Sequence, residues 1–350
     1  MTVRFALVGC GTIAAKHVEA VSRIPDAAIV AVCDRDAEAA RRMGERLGVP
    51  FFADVHQMAT KVVFDAFTIL TPSGDHAAQV LDLARYGRHF VIEKPMALRI
   101  DDADAMIAAC DAAGAKIFVV KQNRYNPPVV ATRQALDSGR FGKMVMGTVR
   151  VRWARHQPYY DQRPWRGTWA QDGGVLTNQA AHHIDMLIWM MGEVESVQAM
   201  TTTRLAKIEA EDTGIAVLRF TSGALGVIEA TTGARPRDLE GSLSLLGENG
   251  AVEIGGFFMN ELKTWNFATE MPDDSTVFDR FGTTPALPAW NLEQYLRGVI
   301  TSLREGRAGL VDGLGGRRSL ELINAIYEAA ETGRTIPLRF RPQRCRLGGQ

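Results

Sequence analysis

The chain has 350 residues, 46% of them hydrophobic, and its 40 Lys and Arg balance 40 Asp and Glu. That length suggests two domains, each with its own core, and the absence of a basic excess argues against a general binder of nucleic acid or membrane surfaces. No apolar run reaches the roughly 18–20 residues of a bilayer span, and Phe5–Val8 lacks the length and flanks of a signal peptide, so the expected location is the cytoplasm. Cys10, Cys33, Cys110 and Cys345 stand far apart without CxxC spacing, which favours reduced thiols over a disulfide framework or a zinc site. Only 8 of the 40 basic residues are lysine, which makes each lysine at a sheet edge worth attention.

In the first third, short β-rich runs at Val3–Val8, Ala28–Cys33, Phe64–Leu70, His89–Ile92 and Lys116–Val120 alternate with helical patterns at Ile13–Ile24, Ala37–Leu47, His76–Tyr86 and Ala103–Ala113. Alternation at this spacing predicts an α/β unit, a doubly wound parallel sheet over residues 1–122. Gly48, Gly87 and Gly114 each follow a helical run where a left-handed cap would sit. After Asn126-Pro127-Pro128 the rhythm changes. Strands are predicted at Val145–Arg155, Val194–Thr203, Thr213–Phe220, Leu225–Thr231 and Ser242–Leu246, interrupted by one helix at Val175–Met191. With final helices at Leu292–Arg304 and Arg317–Thr332, residues 123–338 read as an α+β domain with an open, largely antiparallel sheet. Residues 339–350 read as a basic, weakly patterned tail.

Gly9-Cys10-Gly11-Thr12-Ile13-Ala14 lies between a predicted strand and a predicted helix, the context in which GxGxxG/A binds a dinucleotide. Gly9 permits the tight turn, Gly11 lets the backbone approach a pyrophosphate, and Ala14 keeps the helix close to the sheet. Asp34, about 20 residues further on, ends the second run where a carboxylate accepts hydrogen bonds from a ribose. It would repel the extra phosphate of NADP and so favours NAD; the adjacent Arg35 could instead bind that phosphate.

Glu93-Lys94-Pro95 follows the His89–Ile92 run at the carboxyl edge of the sheet, where a lysine can polarise a substrate oxygen. An ordinary surface ion pair is the alternative reading of such a dipeptide. Thr71-Pro72-Ser73 ends a neighbouring run at the same edge, and His76 opens the next helix, either as a site residue or as an ordinary first-turn residue. In the second half, Gly173-Gly174 leads into a helix on which Asn178, His182 and Asp185 would share one face, able to orient a hydroxyl and accept its proton. A histidine bonded within the core is the alternative for His182. His183 points about 100° away. No HExxH or comparable set is present, so no metal is expected.

The combination of GCGTIA, TPSGDH, EKP and the Gly-Gly to His182 helix resembles the Gfo/Idh/MocA family, the glucose-fructose oxidoreductase and inositol dehydrogenase type. The resemblance implies a Rossmann domain followed by an open-sheet domain, with Lys94 and His182 as the catalytic pair. Val120-Lys121-Gln122-Asn123-Arg124, Trp153-Ala154-Arg155, Tyr159-Tyr160-Asp161, Trp165-Arg166-Gly167-Thr168-Trp169, Asn178-Gln179, Glu211-Asp212-Thr213-Gly214 and Leu239-Glu240-Gly241-Ser242 are similar to the branch that oxidises the 3-hydroxyl of UDP-N-acetylglucosaminuronate in surface-polysaccharide synthesis. Inositol-type relatives carry Asp where this chain has Asn178, whereas the nucleotide-sugar branch also has Asn. That branch often shows a Gly-His pair where Pro288-Ala289-Trp290-Asn291 stands here.

The implied cofactor is NAD, with Gly9, Gly11, Thr12, Ile13, Asp34, Arg35, Thr71, Pro72, His76, Glu93, Lys94 and Gln122 as candidate contacts. The implied substrate is a nucleotide sugar, with Arg124, Arg155, Tyr160, Trp165, Asn178 and Gln179 as candidate contacts; a pyrophosphate and a carboxylate need guanidinium forks and stacking surface. A homodimer or homotetramer built through the open sheets is implied as well. Two other readings stay open, a dehydrogenase of a free polyol or aldose and a non-catalytic regulator that senses NAD or sugar.

Overall fold

The apolar runs of the first third pair into one six-stranded sheet in the computed structural model, which describes residues 2–285, 289–307 and 309–338. The strands are β1 (Val3–Val8), β2 (Ala27–Cys33), β3 (Phe51–Phe52), β4 (Ala66–Ile69), β5 (His89–Ile92) and β6 (Ile117–Val119). All pairs are parallel, in the order β3-β2-β1-β4-β5-β6. The order reverses between β1 and β4, so the turns after these two strands diverge to opposite faces and leave a crevice at the carboxyl edge. Helices Ala37–Leu47 and Val55–Lys61 are capped by Asp36 and Asp54, and Gly48 ends the first in the left-handed conformation. The two-residue β3 and the seven-residue Val55–Lys61 helix were not expected, because neither is long enough to show a period.

The second sheet has eight strands: β7 (Met144–Arg152), β8 (Val194–Thr202), β9 (Thr213–Phe220), β10 (Leu225–Thr231), β11 (Glu240–Gly247), β12 (Gly250–Gly255), β13 (Glu261–Phe267) and β14 (Ile336–Pro337). Their order is β13-β12-β11-β7-β10-β9-β8-β14, antiparallel throughout except for β7 with β10. Alternation along the strands sends one set of side chains inward, where Val149, Val151, Leu218, Ile228 and Leu243 pack with Ile184, Leu187 and Met191 of helix Ala181–Met191. Burying a side chain of this size contributes about 1.5–3 kcal/mol.

The expected boundary at residue 122 is not a clean division of the cores. Helix Trp290–Glu305 returns to the first sheet, where Leu292, Tyr295, Leu296 and Val299 join Val3, Phe5 and Val91 in one cluster. Helix Gly313–Thr332 spans both cores, with Leu320 in the first and Leu322, Ile323 and Ile326 in the second. The expected tail at 339–350 and Pro288 lie outside the described residues.

The expected continuous helix over Val175–Met191 is also corrected. Residues Val175–Gln179 form a π-turn, with the Ala180 N–H bonded to the Val175 carbonyl at 2.8 Å, and the α-helix begins at Ala181. Glu211 caps the segment, because its backbone and side chain accept from the Val175 and Leu176 N–H groups at 3.0 and 2.9 Å.

Candidate active site

The crevice is walled on one side by the turn after β1. Gly9 has φ +104°, and a Cβ there would stand 2.9 Å from the Leu70 backbone, so only glycine fits between the two strand ends. At Gly11 a Cβ would meet nothing within 4 Å, which leaves that face of the turn open to a ligand. Helix Thr12–Ser22 begins without a side-chain cap, so its first N–H groups are available to a phosphate. Asp34 accepts the Cys10 N–H at 2.7 Å and the Asp36 N–H at 2.9 Å, and its carboxylate keeps lone pairs for ribose hydroxyls. Gln122 Oε1 is buried with no partner among the described residues, as expected of an atom that awaits a ligand donor. These residues fit a dinucleotide.

Three expected contacts lie at the edge with their side-chain polar atoms already engaged, and a fourth lies elsewhere than expected. His76 is buried and its two ring nitrogens lie 2.9 Å from the Pro95 and Thr71 carbonyls, so it braces two edge turns against each other and has no nitrogen left for a cofactor. Glu93 is likewise consumed, by His17 at 2.9 Å and the Lys94 N–H at 3.1 Å. Burial raises its pKa, but the His17 hydrogen bond and the nearby Lys94 outweigh that and leave it below the usual range. Thr71 donates to Gln79 at 2.8 Å. Trp165, expected against the substrate, instead lines a cleft of about 430 Å³ with Arg35, Pro72 and Glu209 on the Asp34 side. Its loop is docked on the first sheet's edge, where the Gly74 N–H donates to the Gln171 carbonyl at 3.0 Å.

The candidate reactive groups come together from the two halves of the chain. Lys94, directly after β5, extends its ammonium to the Asn178 carbonyl at 2.5 Å. Burial lowers the Lys94 pKa, while the charges of Glu93 and Asp172 work in the opposite direction. His182 follows Asn178 by four residues and is partly exposed. Its Nδ1 has no partner among the described residues. Burial, then the positive charges of Lys94 and Lys121, hold its pKa well below the usual range, so the ring is a neutral proton acceptor at pH 7. The Asn178 side chain donates to Asp172, which also accepts the Gly167 N–H at 2.8 Å, and burial raises the Asp172 pKa against these bonds.

Asp185, three residues beyond His182 in the regular helix, is spent inside the protein instead of facing the cleft. It is fully buried and accepts both Nε and Nη2 of Arg124 at 2.9 Å, with Lys121 Nζ at 3.6 Å. Arg124 is therefore committed to an internal ion pair and stacked over Trp189, which corrects its assignment to the substrate. Tyr160 is corrected for a similar reason, since its buried hydroxyl meets Thr232 Oγ1 at 3.0 Å. Its neighbour Tyr159 takes the expected place, with its hydroxyl accepting from Gln179 Nε2 at 3.0 Å and its ring beneath Arg166 at 4.0 Å and Arg155 at 5.5 Å. Arg155 also donates to Asp238 at 3.1 Å.

Lys121 and Asp172 are additions to the expected set. Lys121 follows β6 just as Lys94 follows β5, at the same carboxyl edge, and donates to Ser319 at 2.9 Å; Asp172 stands immediately before Gly173-Gly174. Both signals were present in the sequence. Among the described residues no group of three His, Cys, Asp or Glu could hold a metal ion, and no helix is long and apolar enough to cross a membrane.

Comparison with known proteins agrees with this architecture. Residues 3–121 match the family described as oxidoreductase family, NAD-binding Rossmann fold, and residues 129–253 match the GFO/IDH/MocA C-terminal domain. The structure is similar to the WlbA dehydrogenase from Bordetella pertussis in complex with NADH and UDP-GlcNAcA, at 42% identity, TM-score 0.93, covering 97% of this chain and 99% of that one. It is also similar to the Chromobacterium violaceum WlbA dehydrogenase, in complex with the same two molecules, at 40% identity, TM-score 0.91 and 97% of each chain. The D-apiose dehydrogenase of Paraburkholderia graminis is 28% identical over 95% of this chain and 89% of its own length. The two family models together match more than half of the chain and place this protein in the GFO/IDH/MocA family of NAD-binding oxidoreductases.

Proposed function

We propose that the protein oxidises the 3-hydroxyl of UDP-N-acetylglucosaminuronate with NAD, in the cytosol, as a step in surface-polysaccharide synthesis. The observation that carries this reading is the meeting of Lys94 with the Asn178 turn, which places a lysine ammonium and the neutral His182 ring at one cleft beside the open Gly9–Gly11 turn. Gly9, Gly11, Thr12, Ile13, Asp34 and Gln122 would hold the cofactor, with Arg35, Pro72 and Trp165 beside its adenosine end. Held there, NAD would supply the acceptor for the hydride that leaves the carbon carrying the hydroxyl. His182 takes the hydroxyl proton, and Lys94 donates a hydrogen bond to the same oxygen, which favours the alkoxide character that develops. Arg155 and Arg166, with Tyr159 and Gln179, supply guanidinium and stacking contacts for the anionic groups of the nucleotide sugar.

The site of oxidation is tested with substrate carrying deuterium at C3. A single turnover is expected to give deuterated NADH with a primary isotope effect. Unlabelled NADH, with the deuterium retained on the sugar, would contradict oxidation at C3.

The reading extends to assembly. Helices cover one face of the large sheet, while the other exposes Met200, Ile215, Val217 and Leu225 beside the paired Arg152, Glu229 and Glu240. An apolar row on a sheet face suits a second copy of the same face. Val217→Lys is expected to shift the protein to monomer in light scattering; an unchanged mass at equal concentration would exclude this face as the interface.

A further inference from the structure

Beneath the Asn178 turn lies a buried carboxyl that the reaction does not use. Glu211 is 3% exposed and stands just before β9. Its Oε1 accepts the Leu176 N–H at 2.9 Å and the Tyr327 hydroxyl at 3.0 Å, and its backbone carbonyl accepts the Val175 N–H at 3.0 Å. Tyr327 comes from helix Gly313–Thr332, 116 residues away in sequence. Its hydroxyl also meets Thr177 Oγ1 at 2.7 Å and accepts the Gly174 N–H at 3.4 Å. The two side chains thus engage Gly174, Leu176 and Thr177, and the Glu211 backbone engages Val175, so each residue that leads into Asn178 is held. The fit is close, since a Cβ on Gly174 would stand 2.1 Å from Glu211 Oε2. Burial pushes the Glu211 carboxyl up to about 7 against the Leu176 and Tyr327 hydrogen bonds, and the adjacent Asp212 adds to the rise.

A π-turn is the less stable alternative to an α-turn, and here Glu211 and Tyr327 fasten the four residues that lead into it from outside the helix. If the turn relaxed to α geometry, the one-residue change of phase would swing Asn178 by about 100° around the axis. The Asn178 carbonyl would then leave Lys94.

We propose that Glu211 and Tyr327 are positioning residues for the oxidation, which hold the π-turn so that the Asn178 carbonyl orients the Lys94 ammonium and His182 enters the cleft. The proposal rests on the roles given above to Lys94 and His182. Neither Glu211 nor Tyr327 touches the reacting atoms; they act through the turn.

The test uses Tyr327→Phe, which removes a hydroxyl and keeps the ring, and Glu211→Gln, which keeps the shape and weakens the acceptor. For each, NADH formation from UDP-N-acetylglucosaminuronate and NAD is followed across pH, with NADH affinity and melting temperature measured alongside, and Lys94→Ala is run in parallel. Both variants are expected to lose at least about tenfold in kcat, as displacements near 1 Å at reacting groups do, with NADH affinity unchanged. The alkaline limb of kcat is expected to move to lower pH, because a lysine deprived of its carbonyl acceptor gives up its proton more readily. Wild-type kcat and an unmoved limb in both folded variants would overturn the proposal, as would losses matched by equal losses in NADH affinity. Lys94→Ala separates the two levels: if it is inactive while Tyr327→Phe and Glu211→Gln are normal, the positioning role alone fails, and if it keeps the wild-type rate, the underlying mechanism fails.

Discussion

Asp185→Ala is expected to lower unfolding free energy by about 3–5 kcal/mol, the usual cost of removing one partner of a buried ion pair. The carboxylate is fully buried, and its loss would leave Arg124 and Lys121 as uncompensated interior charges. Burial raises the Asp185 pKa, but Arg124 and then Lys121 outweigh it and leave the folded value below the ordinary one. The contribution is therefore present above the unfolded pKa of about 4 and is lost as pH falls through the folded value. Urea unfolding at pH 7 measures it, and a loss below about 1 kcal/mol would show the pair to be no stronger than a surface contact.

Lys94→Ala and His182→Ala are each expected to slow single-turnover NADH formation by about 10²–10⁴-fold, the range for removing a positioned acid–base group. Lys94→Arg should not restore the rate, because the longer planar fork cannot take the place of an ammonium 2.5 Å from the Asn178 carbonyl. The effects should not add, since the two groups serve one oxygen; the double variant is expected to be about as slow as the slower single one. Melting temperatures close to wild type would separate this from unfolding. Near-normal rates in both single variants would remove the pair from the mechanism.

Much of the architecture was legible because it is written in local periods. Val3–Val8, Ala37–Leu47, His89–Ile92, Thr213–Phe220 and Leu225–Thr231 occur where alternation and capping residues placed them. The Gly9 turn and Lys94 at the carboxyl edge of β5 were legible for the same reason, since their neighbours in sequence are also their structural context. β12 and β13 were missed because Gly250, Gly255 and scattered polar residues blur their alternation.

What stayed hidden was decided by partners distant in sequence. Arg124 has the composition of a phosphate contact, but Asp185, 61 residues later, claims it. A regular α-helix was expected over Val175–Met191, whereas the π-turn at its start is contacted by Glu211 and Tyr327, partners distant in sequence. Tyr160 and Tyr159 are adjacent and chemically alike, and only the packing of Thr232 against the first leaves the second for the cleft. His76 and Glu93 fell at the expected edge yet are spent on bracing it. The sequence places a residue near a site more readily than it tells whether its polar atoms are free.

The central claim, oxidation of a nucleotide-linked sugar acid by NAD, is tested most directly by mixing the purified protein and NAD with UDP-N-acetylglucosaminuronate, myo-inositol or D-apiose and following NADH absorbance through one turnover. The expected result is NADH formation with the nucleotide sugar, at a rate that exceeds the free polyol and the free aldose by a wide margin. Faster NADH formation with myo-inositol or D-apiose would contradict the account, as would no NADH with the nucleotide sugar.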